Sequence, residues 1–209
     1  MRARGRTLAY AAAAGTDVAL ALLRRTRRRQ VSKTALMPAL AVAVPPRSLA
    51  PALGLAGSWA GDVALLRSDD RSFLVGLGSF SAAHLAYTAG FAARGGRPRP
   101  AHALPIAAAT AATGAVLGRH AGELRAPVHG YALLIGAMAV AATGVRGPGS
   151  GRILGGALTF ALSDTLLALD RFVLGERWSQ AADGGVMLSY TLAQWLIHDG
   201  LHRHDRAGS

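Results

Sequence analysis

Charge in this sequence is segregated. Long runs almost free of Asp, Glu, Lys and Arg alternate with short connections rich in Arg, Gly and Pro, such as ARGGRPRPAH (Ala93–His102) and GVRGPGSGR (Gly144–Arg152). This alternation constrains the fold more than any motif. A helix in lipid bonds all its backbone polar groups within itself, and about 17–25 apolar residues suffice to cross the hydrocarbon. The runs are Leu8–Leu23, Val31–Val44, Leu49–Leu66, Phe73–Phe91, Ala101–Leu117, Val128–Val145, Ile153–Leu169 and Val186–Leu201. Only 16% of the 209 residues are charged, against about 25% in ordinary soluble domains. Almost no segment carries the charged stripe of a surface helix. The predicted fold is therefore all-α: a polytopic transmembrane bundle of about eight spans, with residues 1–209 forming a single integral membrane domain. The shortest run, Val31–Val44, has Lys33 near its start and Pro45-Pro46 after it, and reads as a half-span or tilted helix.

The formal net charge is +12. The arginines lie in connections between apolar runs, not along one helix face or among aromatics, which argues against a nucleic-acid partner. They suit anchoring at anionic lipid head groups, so the bilayer itself is the expected partner. The chain has no cysteine, which excludes disulfides, thiolate catalysis and Cys-based metal sites. The start, MRARGRTLAYAAAAGTDVALALL, has the look of a signal peptide, but Asp17 interrupts it and RRTRRR follows. A basic cluster there resists export, which favours a retained first helix in a multi-pass protein of the cell (inner or plasma) membrane. Lys and Arg are otherwise divided almost evenly between the two sets of connections, so charge alone does not orient the chain.

Small residues recur four apart at Gly57/Gly61, Gly114/Gly118 and Gly151/Gly155, a spacing that lets helices approach closely in lipid. The two halves also echo each other. Asp62 sits in GSWAGDVALL and Asp164 in TFALSDTLLAL; Tyr87 follows the first acid by 25 residues and Tyr190 the second by 26. That places the acids on the third and seventh runs and the tyrosines on the fourth and eighth, as a four-plus-four internal repeat does.

A charged side chain at mid-bilayer costs about 2.5–3.5 kcal/mol or more, so an acid retained there faces the bundle interior. Asp164 is the deepest, with Ser163 beside it. Asp62 lies nearer the end of its run, and Asp17 is a third intramembrane acid. His84 and Tyr87, three apart, share a helix face. Tyr190, Gln194 and His198 are spaced i, i+4, i+8 on another. Tyr190 and Gln194 read as pocket residues, and His198, near the end of its run, as interfacial. Arg171 lies about 10 Å along the helix axis from Asp164, a better anchor for head groups than a partner for the acid. No GxSxG, Walker A, GxGxxG or HExxH motif is present, and no histidines have the tight spacing of a metal site. Neither a metal nor a cofactor is expected.

An ordered series runs along the chain: SKTALMPAL, GDVALL, SFLVGLGSFSAAHLAYTAGF, PVHGYALLIGAM, GGALTFALSDTLLALDRF and SYTLAQWLI. Over roughly Ser32 to Ile197 this resembles the YhhN family of integral membrane proteins, whose animal members are lysoplasmalogenases. The family's Lys-Pro pair stands here as Lys33-Thr34, with Pro38 following. The resemblance implies a fold of about eight spans. It also implies hydrolysis of the vinyl ether bond of a lysophospholipid or related ether lipid, releasing a fatty aldehyde. It carries the family's two intramembrane aspartates onto Asp62 and Asp164 as catalytic residues, its HxxY segment onto His84 and Tyr87, and its Tyr/Gln segment onto Tyr190 and Gln194. The last four would orient water or the glycerophosphate head. A vinyl ether is cleaved by protonating its outer alkene carbon, which leaves an oxocarbenium ion for water to capture. One carboxylic acid and one carboxylate meet those needs, much as paired carboxylates do in glycosidases. Asp164 is assigned as general acid and Asp62 as base or electrostatic partner, although the sequence is equally compatible with the reverse. Two other classes fit the same intramembrane acids: a proton-coupled transporter, and a lipid-binding membrane protein without turnover.

Overall fold

The protein is described by a computed structural model that covers residues 2–23 and 26–208. Arg24 and Arg25, from the basic cluster after the first helix, lie outside the described residues. Eight α-helices follow in order among those residues: α1 (Arg2–Leu22), α2 (Thr26–Ala43), α3 (Leu49–Ala64), α4 (Asp70–Arg94), α5 (Pro100–His120), α6 (Arg125–Ala142), α7 (Ser150–Phe172) and α8 (Glu176–Ala207). A 3₁₀ turn at Gly122–Leu124 leads into α6. Each helix covers most of one of the eight apolar runs. The bounds differ where polar residues with good helix propensity extend the run. α2 starts five residues before Val31 and carries Pro38 inside it, so Lys33 lies within a helix rather than at its edge. α8 is 32 residues long, about 48 Å at 1.5 Å per residue, because ERWSQAADGG and HRHDRA continue it at both ends.

Short connections force consecutive helices to run antiparallel. α1 packs on α2, α3 on α4, α5 on α6 and α7 on α8; α4 then lies against α6, and α1 against α8. Two of the three four-residue glycine spacings lie at these contacts. A Cβ on Gly57 would stand 2.9 Å from the Ser79 carbonyl oxygen of α4, and one on Gly114 would stand 3.0 Å from Ala132 of α6. The third pair, Gly151 and Gly155, faces open space. The close approach of α7 to α8 is made at Gly156, where a Cβ would be 2.8 Å from the backbone nitrogen of Ile197.

The distribution of polarity is inverted relative to a water-soluble bundle. Asp17, Asp62, His84, Gln194 and His198 are buried, while Leu8, Leu53, Leu85, Leu104, Leu133 and Leu188 are more than half exposed. Three segments, Pro100–His120, Gly122–Ala142 and Ser150–Phe172, are long and apolar enough to cross a membrane. An apolar exterior around a polar interior is the arrangement lipid selects: this is a membrane protein.

Candidate active site

The buried polar side chains form three groups, each drawing on several helices. The first surrounds Asp62 of α3. Tyr190 of α8 donates to Asp62 Oδ2 at 2.7 Å, and Lys33 Nζ of α2 stands 3.9 Å from Oδ1, with the two side chains only 12% and 3% exposed. Asp17 lies on α1. Ser32 donates to one of its oxygens, and the other is buried with no hydrogen-bond partner. Arg29 forms a two-pronged pair with Asp183 of α8.

The second group surrounds Asp164 of α7. Tyr131 of α6 donates to Asp164 Oδ2. His84 Nε2 of α4 is 3.3 Å from that oxygen and 2.9 Å from the Tyr131 hydroxyl. The other ring nitrogen of His84 meets Met138 Sδ at 3.3 Å. Three helices thus converge on one carboxylate.

The third group ties α3, α4 and α8 together. Tyr87 donates to Gln194 Oε1 at 2.8 Å and lies 3.1 Å from His198 Nε2. Gln194 in turn donates to Ser58 at 2.8 Å. Both His198 and Gln194 are buried, so His198 is interior and not interfacial. The α8 helix runs on past the apolar stretch to Ala207, which leaves His198 more than two turns inside its end.

Aromatic rings link the first two groups. Tyr190 packs edge-on against Phe160, with ring centroids 5.5 Å apart, and Phe160 packs against His84 at 4.8 Å. Phe80 closes the cluster against both Tyr190 and Phe160. A row of ring contacts, Tyr190–Phe160–His84, thus lies between the surroundings of Asp62 and those of Asp164, and the two acids are not hydrogen-bonded to each other. The sequence echo between halves is not matched in the bonding: Tyr190 reaches Asp62, whereas Tyr87 turns to Gln194 and His84 approaches Asp164.

Asp164 meets a cavity. A pocket of about 360 Å³ lies among α4, α5, α6 and α7, and Asp164, Tyr131, Thr110, Thr113 and Thr165 supply its polar wall. The rest is apolar, including Leu77, Phe80, Ile106, Ile135 and Leu167. Leu158 and Leu162 also line it, and they are 42% and 53% exposed on the outer surface. The pocket therefore opens sideways, toward where lipid lies. The Asp164 side chain is 12% exposed. Asp62, His84, Tyr87, Tyr190 and Gln194 do not line this pocket. Arg171 pairs with Asp70 at the start of α4 and stacks over Phe73 at 4.1 Å, away from Asp164. Among the described residues no group of three or more His, Asp or Glu side chains is placed to hold a metal ion.

Tyr131 and Lys33 are the functional candidates that the sequence alone did not single out. Tyr131 sits in PVHGYALLIGAM, inside an apolar run, where a lone tyrosine phenol needs a buried partner. No curated protein and no solved structure matches the chain. The YhhN family matches residues 28–201, nearly all of the sequence. With that match over most of the sequence of a helical membrane bundle, the chain belongs to the YhhN family.

Proposed function

We propose that this is a multi-pass hydrolase of the cell membrane that cleaves the vinyl ether bond of a single-chain ether lipid, a lysophospholipid of the lysoplasmalogen type. The observation that carries this reading is Asp164: a carboxyl group set in the wall of a largely apolar pocket that opens toward lipid. An apolar pocket with a few convergent polar groups is the form of a small-ligand site. Its apolar lining suits one hydrocarbon chain.

In the proposed reaction Asp164 gives its proton to the outer alkene carbon. The alkene electron pair forms the new C–H bond, and the carbon bearing oxygen becomes an oxocarbenium ion. Water adds to that carbon and returns a proton to the Asp164 carboxylate. The hemiacetal then breaks its C–O bond as its hydroxyl proton passes to the departing glycerol oxygen, yielding a fatty aldehyde and a glycerophospho-alcohol and leaving the Asp164 acid in its starting form. Tyr131 and His84 hold Asp164 in one orientation, which is worth rate because the proton transfer needs a fixed geometry. Asp62, beside Lys33 and Tyr190, suits an electrostatic partner for the cation. Tyr87 and Gln194 brace the helices on which these groups stand.

The decisive assay is aldehyde release from a lysoplasmalogen by the purified protein, with Asp164→Asn and Asp62→Asn as controls. Loss of about 10²–10⁴-fold in turnover is expected for Asp164→Asn, with a folded protein in detergent. Full activity in both variants removes the two-carboxylate mechanism. A second reading, a proton-coupled carrier, draws on the buried series Ser58–Gln194–Tyr87–His198 and the unpartnered oxygen of Asp17. Proton or solute flux in proteoliposomes, with no aldehyde formed, favours it.

A further inference from the structure

Pro38 lies inside α2 and has no N–H to give to the carbonyl four residues back. That carbonyl belongs to Thr34. In water it would turn to solvent, but Pro38 is exposed on the outside of the bundle, where lipid offers an unpaired backbone oxygen no partner. The neighbouring helix supplies a donor. Trp59 Nε1 of α3 donates to the Thr34 carbonyl oxygen at 2.9 Å. Trp59 is itself 45% exposed, and its indole N–H has the same need of a partner in lipid. Each group satisfies the other.

The bond lies beside the charged pair of the first polar group. Thr34 follows Lys33 in α2, and Trp59 precedes Asp62 by three residues in α3. Thr34–Trp59 and Lys33–Asp62 are therefore adjacent rungs between two antiparallel helices, one on the outer surface of the bundle and one inside it. A helix that has lost an internal bond at a proline bends readily there, so the turn carrying Lys33 and Thr34 needs a tie from outside the helix. Lys33 also reaches its partner on a flexible four-carbon stem, and where its ammonium stands depends on where that turn is held.

We propose that Trp59 is a positioning residue for the reaction: by holding the Thr34 carbonyl it fixes the turn of α2 from which Lys33 reaches Asp62. The inference rests on the hydrolytic reading, in which Asp62, beside Lys33, is the electrostatic partner of the cation. Trp59 does not line the Asp164 pocket. It acts through Lys33 and not on the lipid chain, so its effect falls on kcat and leaves KM unchanged.

Two double-variant cycles on the purified full chain in detergent test this. The first reads the unfolding temperature of Trp59→Phe, Pro38→Ala and the two together. Trp59→Phe keeps an aromatic ring but removes the donor, and should lower the midpoint by about 2–4 °C. Pro38→Ala returns an N–H to the Thr34 carbonyl from within α2, so adding Trp59→Phe to it should cost less than about 1 °C. An equal loss in both backgrounds overturns the bond as the source of the effect. The second cycle reads aldehyde release by Trp59→Phe, Lys33→Met and the two together. Trp59→Phe alone should lower kcat about tenfold with KM unchanged. In the Lys33→Met background it should change kcat by less than about twofold. Equal losses with and without Lys33, or a change confined to KM, overturn the positioning role. No aldehyde from wild type overturns the hydrolytic reading and the role within it. The first cycle needs no substrate, so its coupling tells that failure apart from a failure of the Trp59 bond.

Discussion

Lys33 stands 3.9 Å from Asp62, and neither side chain is more than 12% exposed. Removing one member of such a pair strands the other charge without solvent, which costs about 3–5 kcal/mol. Lys33→Met is therefore expected to lower the unfolding temperature in detergent and reduce aldehyde release by about 10²-fold. Lys33→Arg, which keeps the charge, should retain more of both. Tyr131→Phe removes the hydroxyl donated to Asp164; turnover should fall about 10-fold or more, with the dependence on lipid concentration unchanged, since the group acts through the acid rather than on the chain. Asp62, Asp164 and His84 were legible in the sequence because a charge or imidazole inside an apolar run is conspicuous. Their actual partners were not. Which helix faces which is settled by packing among eight helices, and neither Tyr131 nor Lys33 carries a local signal of what lies opposite. The hydrogen-bond and ion-pair partners of the two acids come from four other helices: Tyr131 of α6 and His84 of α4 for Asp164, and Tyr190 of α8 and Lys33 of α2 for Asp62.

The helices were legible from their apolar runs, but their ends were not. α2 and α8 extend through polar residues because helix formation is cooperative and tolerates a polar turn at the head-group level. The glycine pattern was partly legible. Gly155 and Gly156 give a sharp comparison: a Cβ at Gly155 meets nothing within 4 Å, and one at Gly156 runs into the backbone of α8. Gly156→Ala should destabilise the protein by about 1–3 kcal/mol, while Gly155→Ala should be nearly neutral, as read by thermal unfolding in detergent. At the start of α4, Asp69 caps the helix by accepting from the Ser72 backbone N–H at 2.9 Å and from its hydroxyl at 2.7 Å. These bonds from Ser72 hold the Asp69 carboxyl below its usual range. A lowered folded value means the cap stabilises above the unfolded pKa of about 3.9 and is lost as pH falls through the folded one. The difference in unfolding temperature between wild type and Asp69→Ala should be present at neutral pH and shrink below about pH 4.

Across the whole molecule the polar content is divided between the two ends. Asp17, Lys33 and Asp164 lie in the half next to the α1–α2, α3–α4, α5–α6 and α7–α8 connections, and the Arg94–Asp205 and Arg152–Asp199 pairs lie at the opposite end. Because the chain has no cysteine, single cysteines report topology cleanly. Ser68→Cys and Arg97→Cys should react with an impermeant thiol reagent from opposite faces of sealed vesicles; reaction from one face overturns the arrangement. The membrane character of the chain was legible because lipid acts on composition along each run, whereas the pocket was not, because it arises where several helices fail to fill space together. The sideways opening at Leu158 and Leu162 has a kinetic corollary. A substrate entering there is drawn from a two-dimensional pool, so the rate should follow its mole fraction in the bilayer or micelle. Adding inert detergent at constant total substrate should then slow the reaction by surface dilution, even though the bulk concentration has not changed.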